Sequence, residues 1–315
     1  VARTLKSRKD SKLNKSTILN SAMRNYVVYG ADNPFRYNLS EADLNNLKPE
    51  ELCNYIHNLV KYQHKVFYYG PENSATIKTV LNAKHKSVSK KLVLPAAKVF
   101  TKREITENEV YFANYDMVQA EIAWYRRLGK VDHANDAIIG VFNEYFGGGM
   151  SSLVFQTIRE SKALAYSTYS YYTQGNEPGE YDGITSYVGA QADKLPEAIP
   201  AMNELLTTLP ESDLLLSNCK AALKSQIESN RTVGTAILFA FDDAQKWGYK
   251  EDPDKAFYEN IDKITYKELN EFHKASYSNK PYAYYLIANK DKIKMEELEK
   301  IAKVKVLTLE EIFGY

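Results

Sequence analysis

The chain has 315 residues, enough for one large domain or two ordinary ones, with the 44% hydrophobic and 26% charged content of a globular protein. Forty-one basic residues stand against 40 acidic ones, a net charge of +1, so no overall field draws nucleic acid or an anionic membrane, and neither is expected as a partner. No apolar run approaches the roughly 18 residues of a membrane-crossing helix, and two cysteines, Cys53 and Cys219, are too few for a disulfide framework or a four-thiolate metal site.

The opening segment, VARTLKSRKDSKLNK, lacks an initiator methionine and places Arg3, Lys6, Arg8, Lys9, Lys12 and Lys15 as on the solvated side of a helix. It has no apolar signal-peptide region and no cleavage site, so it gives no compartment. A helix met midway is the expectation, and the chain then belongs to something longer. Residues 47 to 70 follow a recognisable scheme. Pro49 starts a helix whose Leu52, Tyr55, Ile56 and Leu59 share a face, and an aromatic strand, KVFYY, comes next. Residues 264 to 288 repeat it, with Thr265 and Glu268 as a capping box, Leu269 and Phe272 on the apolar face, and the strand YAYYLIA. Each copy closes with a further helix, SATIKTVLNA or KMEELEKIA. The repeat divides the chain into residues 1–84, the end of a preceding related domain; 85–94, a basic, proline-marked connector; and 95–315, a complete domain.

Within 95–315, EVYFANY and AEIAWYRR read as strands, and DHANDAIIGVFNEYF as a helix with Asp132 at its N-cap. A short helix from Ser152, the strand AYSTYSYYT, a Gly/Pro/Asp-rich loop and ITSYVGAQA follow. LPEAIPAMNELLTTL and ESDLLLSNCKAALKSQIESNR are helices, the second with Leu216, Cys219, Leu223 and Ile227 on one face. Strands, then helices, then a last strand predict an α+β domain: a layered, antiparallel-rich sheet covered by helices on one side.

Gly147, Gly148 and Gly149 end one helix, and Ser151 or Ser152 starts the next. A left-handed cap accounts for one or two of these glycines; three in a row before free N–H groups also allow a peptide or anion close to the backbone. Arg159 and Tyr166 lie two helical turns apart, or at a helix end and the start of the adjoining strand. On spacing alone an exposed arginine and a core tyrosine is the plainer account. A permanent planar cation beside a neutral hydroxyl donor also suits a developing oxyanion. His57, His64, His85, His133 and His273 show neither H-E-x-x-H nor H-x-x-E-H, so no metal is expected on this chain.

The run DHANDAIIGVFNEYFGGGMSSLVFQTIRESKALAYSTYSYY, with VQAEIAWYRR before it, resembles the insulinase, or pitrilysin-type, zinc metallopeptidases, the inverzincins. The motif-level likeness spans residues 118 to 189. It implies a metallopeptidase-like domain of the kind shared with mitochondrial processing peptidase. In that family four related domains form two bowl-like halves, with H-x-x-E-H in the first domain. An arginine and a tyrosine of the last domain reach the zinc site. By resemblance these are Arg159, as substrate holder, and Tyr166, as transition-state stabiliser; Gly147, Gly148 and Gly149 are the further substrate-binding candidates, from their run before free N–H groups. The expectation is therefore the C-terminal half of a hydrolase, a zinc endopeptidase acting on peptides, inactive alone and dependent on an N-terminal half that carries the zinc. The alternative is a non-catalytic binding or structural subunit of the same fold.

Overall fold

Six strands form one mixed sheet in the computed structural model, which describes residues 1–85 and 88–315. They are β1 (Glu109–Asn114), β2 (Gln119–Lys130), β3 (Ser167–Thr173), β4 (Tyr181–Gln191), β5 (Ala283–Ala288) and β6 (Val304–Val306). The order across the sheet is β3-β4-β2-β5-β1-β6. β2 pairs antiparallel with β4 and β5, as does β3 with β4, whereas β1 runs parallel to β5 and β6. The last long strand in the sequence thus enters the middle of the sheet. Its sequence, AYYLIA, is buried at every position, as a strand covered on both faces requires.

Alternation sorts the strand residues onto two cores. Phe112, Ile122, Trp124, Ile184, Val188 and Leu286 face helices that include Asp136–Phe146, Leu195–Thr207 and Tyr266–Ser276. Tyr111, Ala123, Tyr125, Tyr187, Tyr285 and Ile287 face Ile18, Leu19, Ala22, Met23, Val27 and Val28 from the continuous helical run Thr17–Tyr29, closed by Ile312 and Phe313. Helices cover both faces, not the single face expected, because the tyrosines of the second face are too apolar in body to be left in water. The antiparallel-rich α+β character stands.

Local signals behave as their chemistry predicts. Thr265 and Glu268 form the capping box, Ser212 caps Asp213–Ser229, and Leu216 and Cys219 of that helix are buried. Asp132 accepts from the Ala134 N–H, but it caps a short 3₁₀ turn; the α-helix proper starts at Asp136. His273 is fully buried, stacked on Tyr277 with 5.5 Å between ring centroids. Its Nε2 lies 3.0 Å from the Leu205 carbonyl and its Nδ1 is unpartnered, and burial holds its pKa down at about 4.

Contact divides the chain into two units: Ala2–Asn38, Phe100–Asn230 and Glu251–Tyr315 form the one just described, and Leu39–Val99 with Arg231–Lys250 form the other. This grouping differs from the division read from the repeat, because Thr17–Tyr29 completes the core of the sheet's second face. In the second unit the helices Pro49–Asn58 and Ser74–Lys84 form as expected, but Lys65–Tyr69, expected as a strand, has no strand pairing. No described residue of this unit is buried, and Tyr55, Ile56 and Leu59 on the predicted apolar face are all more than 60% exposed. Of the expected connector, Lys86 and Ser87 lie outside the described residues, and the Leu92 N–H donates to the Lys61 carbonyl at 2.9 Å.

Candidate functional site

Asp136–Phe146 ends against the edge strand β3, and Gly147 is there because the two backbones nearly touch. A Cβ on Gly147 would lie 2.2 Å from the Ser170 carbonyl oxygen and 2.5 Å from its nitrogen. The Ser170 N–H donates to the Gly147 carbonyl at 3.3 Å, and the Asn143 side chain both accepts from and donates to the Tyr172 backbone at 2.8 and 2.9 Å. The outer edge of β3 is thereby closed to further strand pairing over these residues. None of the three glycines is left-handed; Gly147 has φ −149°. Close approach, rather than a left-handed cap, is what demands glycine here.

Ser152 Oγ accepts from the Phe155 N–H at 3.4 Å and donates to the Gly149 carbonyl at 2.6 Å, which starts the next helix. That helix widens into a π-helix over Phe155–Ser161, with the Lys162 N–H reaching back five residues to the Thr157 carbonyl. The chain then reverses through Ala163, which is held at φ +50°, a left-handed conformation rare for a residue with a Cβ. The Leu164 N–H bonds the Ile158 carbonyl at 2.9 Å, locking this reversal while Leu164 and Ile158 enter the core. Tyr166 emerges immediately after, its N–H donating to the Gly189 carbonyl at 2.8 Å, just before β3 begins.

This path brings Arg159 and Tyr166 to one open groove of about 310 Å³, together with Glu160, Ala163, Gln191 and Lys194. Tyr166 is 55% exposed, so it is not a core aromatic. The Arg159 guanidinium lies over the Phe155 ring, 4.7 Å from its centroid, and its Nε is 3.7 Å from a Glu160 carboxylate oxygen. The arginine is thus loosely tethered to its own helix. A second groove of about 230 Å³, lined by Lys15, Met117, Val118 and Gln119, meets the first at Tyr166 and Gln191. Gln191 Nε2 donates to the Tyr166 hydroxyl oxygen at 3.1 Å. Beneath, Lys15 forms a 2.6 Å ion pair with the buried Glu121, and Tyr169 stacks on Tyr187, 5.0 Å between ring centroids. Burial, then the Glu121 charge, pushes the Tyr187 phenol well above its ordinary range, so it stays neutral.

Gly147, Gly148 and Gly149 do not line either groove; they pack on Ser170, Asn143, Tyr171 and Glu144 instead. Sequence reasoning missed Gln191, Lys194 and Ala163. Gln191 closes β4 like any polar strand end, and only the β2–β4–β3 register carries it to Tyr166. Among the described residues no group of three or more His, Cys, Asp or Glu side chains could hold a metal ion, so the residues present do not fit a zinc site. No described helix is long and apolar enough to cross a membrane.

A mixed sheet packed between helices is a fold shared with known proteins. Residues 46–214 match the family described as the peptidase M16 inactive domain. The chain belongs to that family. Among curated relatives, an uncharacterized zinc protease YmxG of Bacillus subtilis is 35% identical over 101 residues, 31% of this chain and 24% of that protein. Another, SCO5738 of Streptomyces coelicolor, is 36% identical over 87 residues, 28% of this chain and 18% of that protein. The matched stretches therefore span about a quarter or less of those relatives. Among solved structures, a peptidase M16 inactive domain from Pseudomonas fluorescens superposes with a TM-score of 0.66 at 13% identity, over 91% of this chain and 68% of that one. A protease from Helicobacter pylori superposes with a TM-score of 0.58 at 15% identity, over 79% of this chain and 61% of that one. These two likenesses establish the fold.

Proposed function

We propose that this chain is the C-terminal half of a zinc-dependent endopeptidase and supplies the wall of the site opposite the metal. The observation that carries the proposal is the joint exposure of Arg159 and Tyr166 on one groove, at the residues of the family-like run R-E-x-x-x-L-A-Y. Among the described residues no donor set fits zinc. The ion, its H-x-x-E-H motif and the distal glutamate are accordingly assigned to an N-terminal half, where bound zinc would supply Lewis-acid chemistry. What this chain contributes is positional and electrostatic. Arg159, released from Glu160 and Phe155, offers planar donors and a permanent charge to a substrate carbonyl or carboxylate. Tyr166 donates its hydroxyl proton in a hydrogen bond to the carbonyl oxygen as negative charge gathers there, an interaction stronger in the transition state than before it. The repeat supports a parent protein built from related domains, with Thr17–Tyr29 contributing to the core of the sheet-bearing one. The zinc protease names of the relatives support the reaction class.

The second reading, a non-catalytic binding subunit, is favoured by the tethering of Arg159 to Phe155 and Glu160 on its own helix. Reconstitution separates the two. The 315-residue chain, mixed with the upstream half of its parent protein and zinc, should cleave a quenched fluorescent peptide library, and neither part alone should. A complex that forms without any cleavage would support the binding subunit instead.

A further inference from the structure

Tyr166 and Gln191 are the two residues common to both grooves, so their hydrogen bond forms the ridge over which an extended chain would pass from one groove to the other. The direction of that bond matters. Gln191 Nε2 donates to the phenol oxygen at 3.1 Å. The Tyr166 hydroxyl therefore fills an acceptor site from the protein and keeps its own proton for an outside acceptor. A donor already bonded at its oxygen is polarised into a stronger donor. Gln191 Oε1 has no hydrogen-bond partner among the described residues, which leaves an acceptor beside that donor. Donor and acceptor side by side are the complement of one residue of an extended peptide, whose C=O and N–H point to the same side and can be engaged together.

The frame that holds Gln191 is stiff. It ends β4 opposite Gln119 of β2, and the next residues turn into a 3₁₀ helix at Ala192–Lys194. The Tyr166 N–H is fixed to the Gly189 carbonyl of the same strand, two residues before Gln191. Both side chains thus spring from hydrogen-bonded neighbouring backbones, Tyr166 at the start of β3 and Gln191 at the end of β4.

We propose that Gln191 is the positioning residue of this site: it orients the Tyr166 hydroxyl as a donor to a substrate carbonyl, and it accepts from the N–H of the residue that contributes that carbonyl. The proposal rests on the role given to Tyr166 above. A carboxylate at position 191 could only accept, and would take the Tyr166 proton for itself. In the intact protein, Gln191→Glu is therefore expected to lower kcat about tenfold or more. Gln191→Ala is expected to lower it about three- to tenfold, the range of one neutral hydrogen bond. Gln191→Glu keeps an acceptor for the substrate N–H and should leave KM within about twofold, whereas Gln191→Ala removes it and should also raise KM by about two- to fivefold. In a Tyr166→Phe background, Gln191→Ala should change kcat less than about twofold, because the two residues act as one unit. A Gln191→Ala effect of the same size in both backgrounds overturns the positioning role and leaves Tyr166 intact as a donor. A Tyr166→Phe protein with unchanged kcat sinks the Tyr166 role itself. A readout independent of activity uses the ¹⁵N-labelled 315-residue chain, in which Tyr166→Phe should shift the Gln191 side-chain amide resonances; resonances that do not move contradict the proposal.

Discussion

Replacing Gly147 by alanine should destabilise the sheet-bearing unit by about 3 kcal/mol. The new Cβ would need space now held by the Ser170 carbonyl and nitrogen, 2.2 and 2.5 Å away. Both are backbone atoms of a paired strand, so neither can rotate aside. Overpacking of this kind costs about 1–3 kcal/mol. Pushing the helix end off β3 also loosens the Ser170 to Gly147 bond and the Asn143 to Tyr172 pair, each worth about 1 kcal/mol. In a urea titration followed by tryptophan fluorescence, with a slope of about 3 kcal/mol per M, the midpoint should fall by about 1 M. Gly149→Ala is the control, because its Cβ would meet only the tip of the Glu144 side chain at 3.3 Å. It should cost less than about 0.5 kcal/mol. If Gly147→Ala unfolded within about 0.2 M of the parent, the close-approach explanation would fail, and a role for this glycine in letting substrate near the backbone would regain its case.

Ala163→Gly should stabilise the chain by about 0.5–1 kcal/mol, since relief of a left-handed Cβ outweighs the added freedom of glycine in the unfolded state; a lower melting temperature would argue against strain at this reversal. His273, held neutral with its pKa down at about 4 against an ordinary 6.5, makes the folded state bind fewer protons than the unfolded state between those values. Stability should therefore fall by up to about 3 kcal/mol as pH drops through that window, and His273→Phe should flatten the profile there; a variant with the parent's slope would assign the acid sensitivity elsewhere. Dialysed protein should hold far less than stoichiometric zinc by atomic absorption, and one tightly bound ion per chain would overturn the assignment of the metal to the other half.

Local chemistry made much of this fold legible. The capping box at Thr265 and Glu268, the cap at Ser212 and the alternation in β1 and β2 each act within a few residues, where the sequence states them directly. What it concealed depends on distant partners. Residues 1–84 read as the end of a preceding domain, yet Ile18, Leu19 and Met23 pack beneath tyrosines more than 80 residues away. Lys65–Tyr69 has the composition of a strand but no neighbour to pair with, and strand propensity alone does not make a ladder. At the site, Arg159 and Tyr166 were visible as a spaced pair, whereas Gln191 became meaningful only through the register that sets β4 beside β3.

The central claim is that Tyr166 acts on charge that develops during the reaction. Its most direct test is the steady-state kinetics of Tyr166→Phe in the intact enzyme, with folding checked by circular dichroism. The account predicts kcat lower by roughly 10²–10³ with KM nearly unchanged, the mark of a lost oxyanion donor. A kcat within about threefold of the parent, less than 1 kcal/mol, would contradict it and return Tyr166 to the role of an exposed aromatic on a binding surface.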